Sequence, residues 1–352
     1  MKCDKCGLES ENQAFFKTER EPFSKRKTLC LSCQSAKEAS VFKVIFWIPF
    51  SLGLLGLFLM ILHPGSRGNA LMINFGFIAV AGICISLMHE LGHAFVGRVA
   101  GFKIFAVEIG IGPYVLEFKR FGIRWRLKKT PVGGRAYGLP LDIRGFRLKQ
   151  TLFVLGGPAV NAILFLLAWK CRWLDVMLGQ TRLSGFLPMQ FLLVMNAAAL
   201  IGNLTPQRTS SAEGRLPNDG LNIWLTWKQT PQTIAAIKAA YYSFEAEKCR
   251  RDHKLGEARR WLDEGLREFP ASHTLTLACA TYLVFENKLD EARQALVGLR
   301  TMLADDKALF PLLLNNIAYV DALIGSSELL AEADDYSQQA LRTIPWLVHF
   351  KG

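Results

Sequence analysis

Long apolar runs separated by polar stretches dominate the first 204 residues of this 352-residue chain. Four such segments cover residues 44–62, 70–99, 151–169 and 186–204. A helix of about 20 apolar residues crosses the ~30 Å hydrocarbon core of a bilayer, so the pattern predicts about four transmembrane helices. The alternative is a set of buried helices in a large soluble core. The first segment contains no charged residue, which disfavours that alternative.

The polarity pattern changes twice outside these segments. Residues 101–150 are rich in Val, Ile, Phe, Tyr and Trp, partly alternate in polarity and are interrupted by Gly and Pro. This pattern is typical of strands and predicts a small membrane-associated β-sheet. After about residue 230 the pattern becomes that of amphipathic helices, which predicts a soluble helical region.

A short motif recurs in this helical region. The pattern Leu-x-Glu-Ala at Leu255–Ala258 recurs 34 residues later at Leu289–Ala292, and again at Leu330–Ala333. A period of 34 residues resembles that of tetratricopeptide repeats, which stack helix pairs and present a concave protein-binding surface. An unrelated helical bundle is the alternative. The expected fold class is therefore mainly α, a polytopic membrane protein with a small sheet and a C-terminal α-helical repeat domain.

Composition and charge narrow the function classes. Hydrophobic residues make up 51% of the chain and charged residues 20%, below the usual ~25%, which excludes a disordered or fibrous protein. The net charge of +12 is compatible with nucleic acid or with an anionic membrane surface. Lys and Arg concentrate before the first apolar segment and between the second and third.

Basic loops remain cytoplasmic, so this distribution predicts a multi-pass protein of the cell membrane with both termini in the cytoplasm. The basic side chains of the central sheet are expected to contact anionic lipid headgroups. Since no nucleic-acid recognition motif accompanies the charge, the lipid bilayer is the expected partner, and nucleic acid is not.

Four of the eight cysteines form two CxxC pairs near the N-terminus, Cys3 with Cys6 and Cys30 with Cys33. Four thiolates suit a tetrahedral structural Zn²⁺, which would fold a segment too small for a core of its own. The alternative is a pair of redox motifs, but no thioredoxin-like βαβ pattern surrounds them. We expect a zinc-ribbon-like segment over residues 1–40.

Residues 89–93 read His-Glu-Leu-Gly-His, an HExxH motif. On a helix, positions i and i+4 share one face, so His89 and His93 can bind one Zn²⁺ while Glu90 activates a zinc-bound water. Ionisable residues near the end of an apolar span are costly there and are functional by default. The alternative is a chance pair of helix-terminal histidines at the membrane interface.

A catalytic zinc site also needs a third protein ligand. Val96 and Val99 occupy the next positions on this face of the helix, so the extended form of the motif with a third histidine is absent. Asp219 follows the last apolar segment, after a break at Pro206, and could hold its carboxylate against the histidines. The alternative is a plain Asp-Gly turn, and spacing alone does not choose between the two.

With these motifs the chain resembles the site-2 protease family of intramembrane zinc metalloproteases. That family has HExxH in one transmembrane helix and Asn-x-x-Pro followed by Asp-Gly in a later one, which correspond here to Asn203, Pro206 and Asp219-Gly220. The stretches Pro131–Gly134 and Gly156–Asn161 are similar to two further motifs of the family. The resemblance covers residues 70–226. Twelve residues separate Pro206 from Asp219, where the family usually has only a few.

The resemblance implies a zinc metalloendopeptidase that cleaves membrane-embedded or membrane-adjacent protein substrates, as in regulated intramembrane proteolysis. It implies that His89, His93 and Asp219 hold the catalytic Zn²⁺, with Glu90 as the catalytic base. It also implies that Asn203 binds the substrate strand, for which simple capping of the helix end is the alternative. A transmembrane substrate must be locally unwound to expose its amides, and pairing with an edge strand of the central sheet would present it.

The predicted domains are residues 1–40, zinc-ribbon-like; 41–230, a transmembrane metalloprotease core; and 231–352, tetratricopeptide-like helical repeats. The repeats are expected to bind a protein partner. A second hypothesis makes the chain a catalytically inactive, membrane-anchored adaptor that acts through its repeats.

Overall fold

A computed structural model describes residues 2–7, 16–20, 26–181, 183–211, 214–306 and 309–343. The strands are β1 Phe16–Arg20, β2 Arg26–Cys30, β3 Phe102–Arg120, β4 Ile123–Pro140, β5 Arg208–Ser211 and β6 Gly214–Pro217. The helices are α1 Leu31–Leu62, α2 Arg67–Val99, α3 Phe146–Cys171, α4 Trp173–Gly179, α5 Pro188–Leu204, α6 Asp219–Lys228, α7 Pro231–Arg251, α8 Leu255–Glu268, α9 His273–Phe285, α10 Leu289–Gly298, α11 Arg300–Leu303, α12 Leu309–Ile324 and α13 Ser327–Thr343.

The described part of the chain forms two compact units, and Ser32–Gln229 make up one of them. In this unit α2 and α3 are long and apolar enough to cross a membrane. The other two predicted spans correspond to shorter apolar helical stretches, Phe46–Leu62 and Pro188–Leu204. The mainly helical class is confirmed, whereas the count of four spans stays a prediction.

Helices α2 and α3 approach each other most closely where small residues meet. A Cβ added at Gly92 would collide with the backbone of Gly156, and one added at Gly156 would collide with Gly92. Small residues allow helix backbones to approach closely in apolar surroundings, where packing rather than water drives association. The HExxH motif lies on α2 at this point, so residues of α3 lie directly beside it.

The predicted small sheet is confirmed as a long antiparallel pairing of β3 with β4. Four consecutive residues of β3, Ala106 to Ile109, each have two partners, so this part of β3 lies between the two halves of β4. Ala106, for example, pairs with Tyr137 on one side and with Arg124 on the other. The half of β4 that ends at Pro140 packs toward α2.

A buried carboxylate holds the centre of this sheet. Glu108 is 3% exposed and lies 2.8 Å from Arg126 Nη1 and 2.7 Å from Lys128 Nζ. The hydroxyl groups of Tyr114 and Tyr137 also donate to it, at 3.1 and 3.3 Å. Burial raises the pKa of Glu108, but the bonds from Lys128 and Arg126 outweigh that effect and hold the pKa below its ordinary value.

Replacing this carboxylate should weaken the sheet. We expect Glu108→Gln to lower the free energy of unfolding in mixed micelles by about 1–3 kcal/mol, because two partly buried cations lose their anionic partner. Since the folded pKa lies below the ordinary value of 4.5, the contribution is present above that pH and is lost as the pH falls further. Glu117, an exposed partner of Arg124 and Arg126, gives the matched control. Glu117→Gln should cost less than about 1 kcal/mol, and equal losses would contradict the assignment.

The other unit contains the described residues up to Leu31 and those from Thr230 onward. The helical prediction for the C-terminal region is confirmed, with seven helices between Pro231 and Thr343. Two copies of the recurring motif begin α8 and α10, and the third begins at the fourth residue of α13. Its alanines, Ala258, Ala292 and Ala333, are buried against neighbouring helices. Tetratricopeptide architecture and the three domain boundaries stay predictions.

Candidate metal centre

The HExxH motif lies near the C-terminal end of α2, where His89, Glu90 and His93 are all buried. The helical spacing of four residues places both imidazoles on one face, as the sequence predicted. Their Nε2 atoms lie 3.1 Å apart. Two nitrogen donors thus point at one place in an apolar helical bundle.

Asp219, the first residue of α6, brings a carboxylate to the same place. Its Oδ2 lies 3.1 Å from His89 Nε2, and its Oδ1 lies 3.5 Å from His93 Nε2. One ligand atom from each of the three residues lies within 4.8 Å of the other two. The structure therefore brings together the three residues that the sequence selected as metal ligands.

In the twelve-residue insertion before Asp219, the described residues include β5 and β6, which pair antiparallel with each other. Asn218 closes its base: its backbone N–H donates to the Gln207 carbonyl at 3.0 Å, and its Oδ1 accepts from Gln207 N–H at 3.0 Å. The Asn218 amide also donates to the carbonyl groups of Gly202 and Thr205 at the end of α5. The two ends of the insertion, Gln207 and Asn218, are hydrogen-bonded to each other, so Asp219 stays close to the histidines.

Three features fit a metal ion at this place. Gly157 of α3 has no side chain there, and a Cβ would come within 2.5 Å of the Nε2 atoms of both His89 and His93. Glu90 Oε2 is buried and has no hydrogen-bond partner within the described ranges, as expected of a carboxylate that awaits a water molecule. Two imidazoles and one carboxylate with an open position form the donor set of catalytic Zn²⁺ sites.

Each histidine also has a partner at Nδ1, the ring nitrogen that faces away from the cluster. His93 Nδ1 lies 3.0 Å from the Phe153 carbonyl oxygen, and His89 Nδ1 lies 3.0 Å from the side-chain amide of Asn161. Both partners belong to α3. Such contacts fix the ring orientation of metal-ligating histidines.

The central sheet reaches the same site through β4. A Cβ at Gly134 would come within 2.6 Å of Glu90 Cγ, so this glycine lies directly against the acidic side chain. The backbone N–H of Gly133 donates to Ser86 Oγ at 3.2 Å, one helical turn before Glu90. Sequence reasoning missed Ser86 and placed Gly157 only within a motif, without a role at the metal centre, because nothing in their local pattern shows which helix or strand packs against them.

Asn203, the predicted substrate-binding residue, lies in the last turn of α5 and is half-buried. The next residue, Leu204, places its carbonyl group against Gly220, the neighbour of Asp219. Asn203 therefore lies near the place where the end of α5 contacts the start of α6. Its contact with a substrate stays a prediction.

The N-terminal cysteines form a second cluster. Single sulfur atoms of Cys3, Cys6, Cys30 and Cys33 all lie within 4.8 Å of one another. The Cys30 N–H donates to Cys3 Sγ at 3.2 Å. Burial opposes ionisation of Cys3, but backbone hydrogen bonds from Cys30, Cys6 and Lys5 outweigh it and lower its pKa to about 6. A thiolate at neutral pH is the form that binds metal, so the cluster is compatible with structural zinc.

The site combines two histidines with a carboxylate as the third ligand, and a second carboxylate lies beside them in an apolar helical bundle. This combination is typical of a membrane-associated zinc hydrolase. Residues 76–171 match the sequence profile of Peptidase family M50, the family of the site-2 proteases. The resemblance drawn from the motifs is thereby confirmed for this part of the chain.

Curated relatives agree with this match. A protein of Mesorhizobium japonicum is 43% identical over 51 residues, which are 14% of this chain and 14% of the relative. One from Agrobacterium fabrum is 41% identical over 59 residues, 16% of this chain and 15% of the relative. A protein of Chlamydia pneumoniae is 25% identical over 186 residues, 41% of this chain and 29% of the relative. All three are described as candidate zinc metalloproteases, and the alignments span less than a third of each.

Proposed function

We propose that the chain is an intramembrane zinc metalloendopeptidase that cleaves membrane-embedded or membrane-adjacent protein substrates. The observation that carries the proposal is the convergence of His89, His93 and Asp219 beside Glu90, whose buried Oε2 has no hydrogen-bond partner among the described residues. The family match and the two helices of spanning length support it. The coarser conclusion, a family M50-like protease, rests on the family match and on the descriptions of the relatives.

In this mechanism His89, His93 and Asp219 would hold the zinc ion, which would polarise the scissile carbonyl and lower the pKa of a water molecule. Glu90 accepts the proton of that water at Oε2 and delivers it to the leaving amine nitrogen. Glu90 is buried, so bulk water is excluded from its carboxylate, which strengthens the electrostatic effect of that group on the reacting atoms. Gly134 keeps β4 close to Glu90.

The substrate would bind as an extended strand. An intact transmembrane helix hides its amides in internal hydrogen bonds, so the scissile region must be unwound. The half of β4 that carries Gly133 and Gly134 lies against the catalytic helix, which supports strand addition there. Asn203, at the end of α5, would hold the other side of the strand. This arrangement suits regulated intramembrane proteolysis by a multi-pass enzyme with both termini in the cytoplasm.

A cleavage assay with metal removal and restoration tests the function. The full chain in lipid vesicles should cleave at least one member of a panel of single-span membrane proteins, lose that activity with a zinc chelator and regain it with added Zn²⁺. The wild-type preparation should also contain zinc at the core site. Absence of both cleavage and core zinc would overturn the proposal and favour the inactive adaptor.

We also propose that Cys3, Cys6, Cys30 and Cys33 bind a structural Zn²⁺ and that the C-terminal helices bind a protein partner. The zinc content of the chain should fall by one equivalent per chain in Cys3→Ser, because three thiolates hold zinc less tightly than four. Cys279→Ser, a change of a partly buried cysteine in α9, is the control and should leave the content unchanged. Equal zinc content in all three proteins would contradict the assignment.

A further inference from the structure

Asn161 is a buried polar residue for which the mechanism above has no use. It lies on α3, is fully buried, and places its side-chain amide 3.0 Å from His89 Nδ1. Its Oδ1 is buried too and has no hydrogen-bond partner in the described part of the chain. An unpaired buried amide oxygen lowers the stability of the folded protein by about 1–3 kcal/mol. Its presence beside a candidate metal ligand therefore needs a physical explanation.

The two ring nitrogens of His89 need different hydrogen-bond partners in the metal-free and the metal-bound site. Without metal, Nε2 can carry the proton and donate to Asp219 Oδ2, 3.1 Å away, while Nδ1 accepts from the Asn161 NH₂ group. When Nε2 gives its lone pair to zinc, the ring proton must sit on Nδ1, which then needs an acceptor. A carboxamide turned by 180° about its last bond offers Oδ1 at the same place.

His93 likewise has a hydrogen-bond partner at Nδ1 for either tautomer. Its Nδ1 lies 3.0 Å from the Phe153 carbonyl oxygen, an acceptor, and 3.2 Å from the Gly157 N–H, a donor. Either tautomer of His93 therefore finds a partner on α3. His89 has only one neighbour at Nδ1 among the described hydrogen bonds, and that neighbour is a group that can both donate and accept.

We propose that Asn161 is a positioning residue for the metal centre, which pairs with His89 Nδ1 in both tautomers and reverses its amide when zinc binds. In the loaded state Oδ1 accepts the Nδ1 proton, which leaves Nε2 unprotonated and directed at the metal. The inference rests on the proposed zinc site. It explains why an amide, rather than an apolar residue or a carboxylate, occupies this buried position.

Two substitutions separate this role from mere packing. Asn161→Leu keeps a similar volume but offers neither donor nor acceptor, so zinc affinity should fall about 10–100-fold, the usual effect of losing such a partner. Asn161→Asp offers an acceptor in the loaded state and should retain affinity within a few-fold of the parent. Asn196 of α5 is the matched control, because it is also fully buried but donates to a carbonyl group of its own helix. Asn196→Leu should leave zinc affinity unchanged.

The measurement is competition for Zn²⁺ between the full chain in detergent and a chromophoric chelator. Cys3→Ser and Cys6→Ser are present in every protein, so that only the core site is titrated. Size-exclusion elution and helical content are compared with the parent.

Loss of affinity in Asn161→Leu with retention in Asn161→Asp supports the proposal. Parental affinity in Asn161→Leu, or an equal loss in both variants, overturns it. If Asn161→Leu does not fold, Asn161→Asp decides alone, since a loss of tenfold or more there contradicts the acceptor role. A parent that binds no zinc overturns the proposed function together with this inference, whereas the other results concern Asn161 alone.

Discussion

Glu90→Gln should reduce the rate of substrate cleavage by about 10²–10⁴-fold while leaving zinc bound at the core site, because a general base contributes about that factor. Glu90 Oε2 is buried, has no hydrogen-bond partner among the described residues and belongs to the residue next to His89, a proposed zinc ligand. Glutamine has nearly the same shape, so it preserves the contact with Gly134, but its amide cannot take a proton from water. Cleavage and zinc content should be measured on the same preparation.

Glu117→Gln is the control for this experiment, since it removes an exposed carboxylate of the sheet in the same unit. It should cleave at the parental rate. Equal cleavage by wild type and Glu90→Gln would exclude Glu90 as the base. Loss of zinc in Glu90→Gln would show instead that the carboxylate holds the metal centre together.

Gly157→Ala should abolish both zinc binding and cleavage, although it adds only one methyl group. The new Cβ would come within 2.5 Å of the Nε2 atoms of His89 and His93, closer than real Cβ contacts. These two atoms are the proposed metal donors, so any shift that relieves the collision moves them away from Asp219. Metal ligands tolerate only small displacements, about 0.5 Å, before a site fails.

Gly82→Ala is the matched control, because Gly82 lies on α2, the helix that carries the HExxH motif. A Cβ at Gly82 would meet only Met195 Cε, at an ordinary distance of 3.6 Å. This variant should keep its zinc and its cleavage rate, and alanine is a better helix former than glycine. If Gly157→Ala bound zinc as tightly as Gly82→Ala, the metal would have to lie elsewhere than between the two Nε2 atoms.

The sequence allows the catalytic half of the site to be predicted because its spacing is local. His89, Glu90 and His93 lie within one and a half turns of a helix, and helical periodicity alone places them on neighbouring faces. The sheet formed by β3 and β4, which lie between α2 and α3 in the sequence, was likewise predictable from β-branched and aromatic residues interrupted by glycine. Both inferences needed no knowledge of how distant segments pack.

The distant contacts could not be predicted in the same way. The spacing of Asp219 from Pro206 does not show whether its carboxylate reaches the histidines, because that depends on the pairing of β5 with β6 and on the contacts of Asn218 with Gln207. The role of Gly157 depends on α3 meeting α2 at Gly92, and that of Asn161 depends on the rotation of α3 about its axis. Tertiary packing sets these contacts, and no local pattern encodes them.

The sequence separation of the metal ligands has a consequence for biosynthesis. His89 and Asp219 are 130 positions apart, and the intervening residues include the sheet, α3 and α5. A chain still emerging from the ribosome can present the two histidines but lacks the third ligand until α6 has been made. Under the proposed function, the chain would therefore acquire its complete set of zinc ligands only after α1 to α5 have been made, and it would not cleave a substrate before that point.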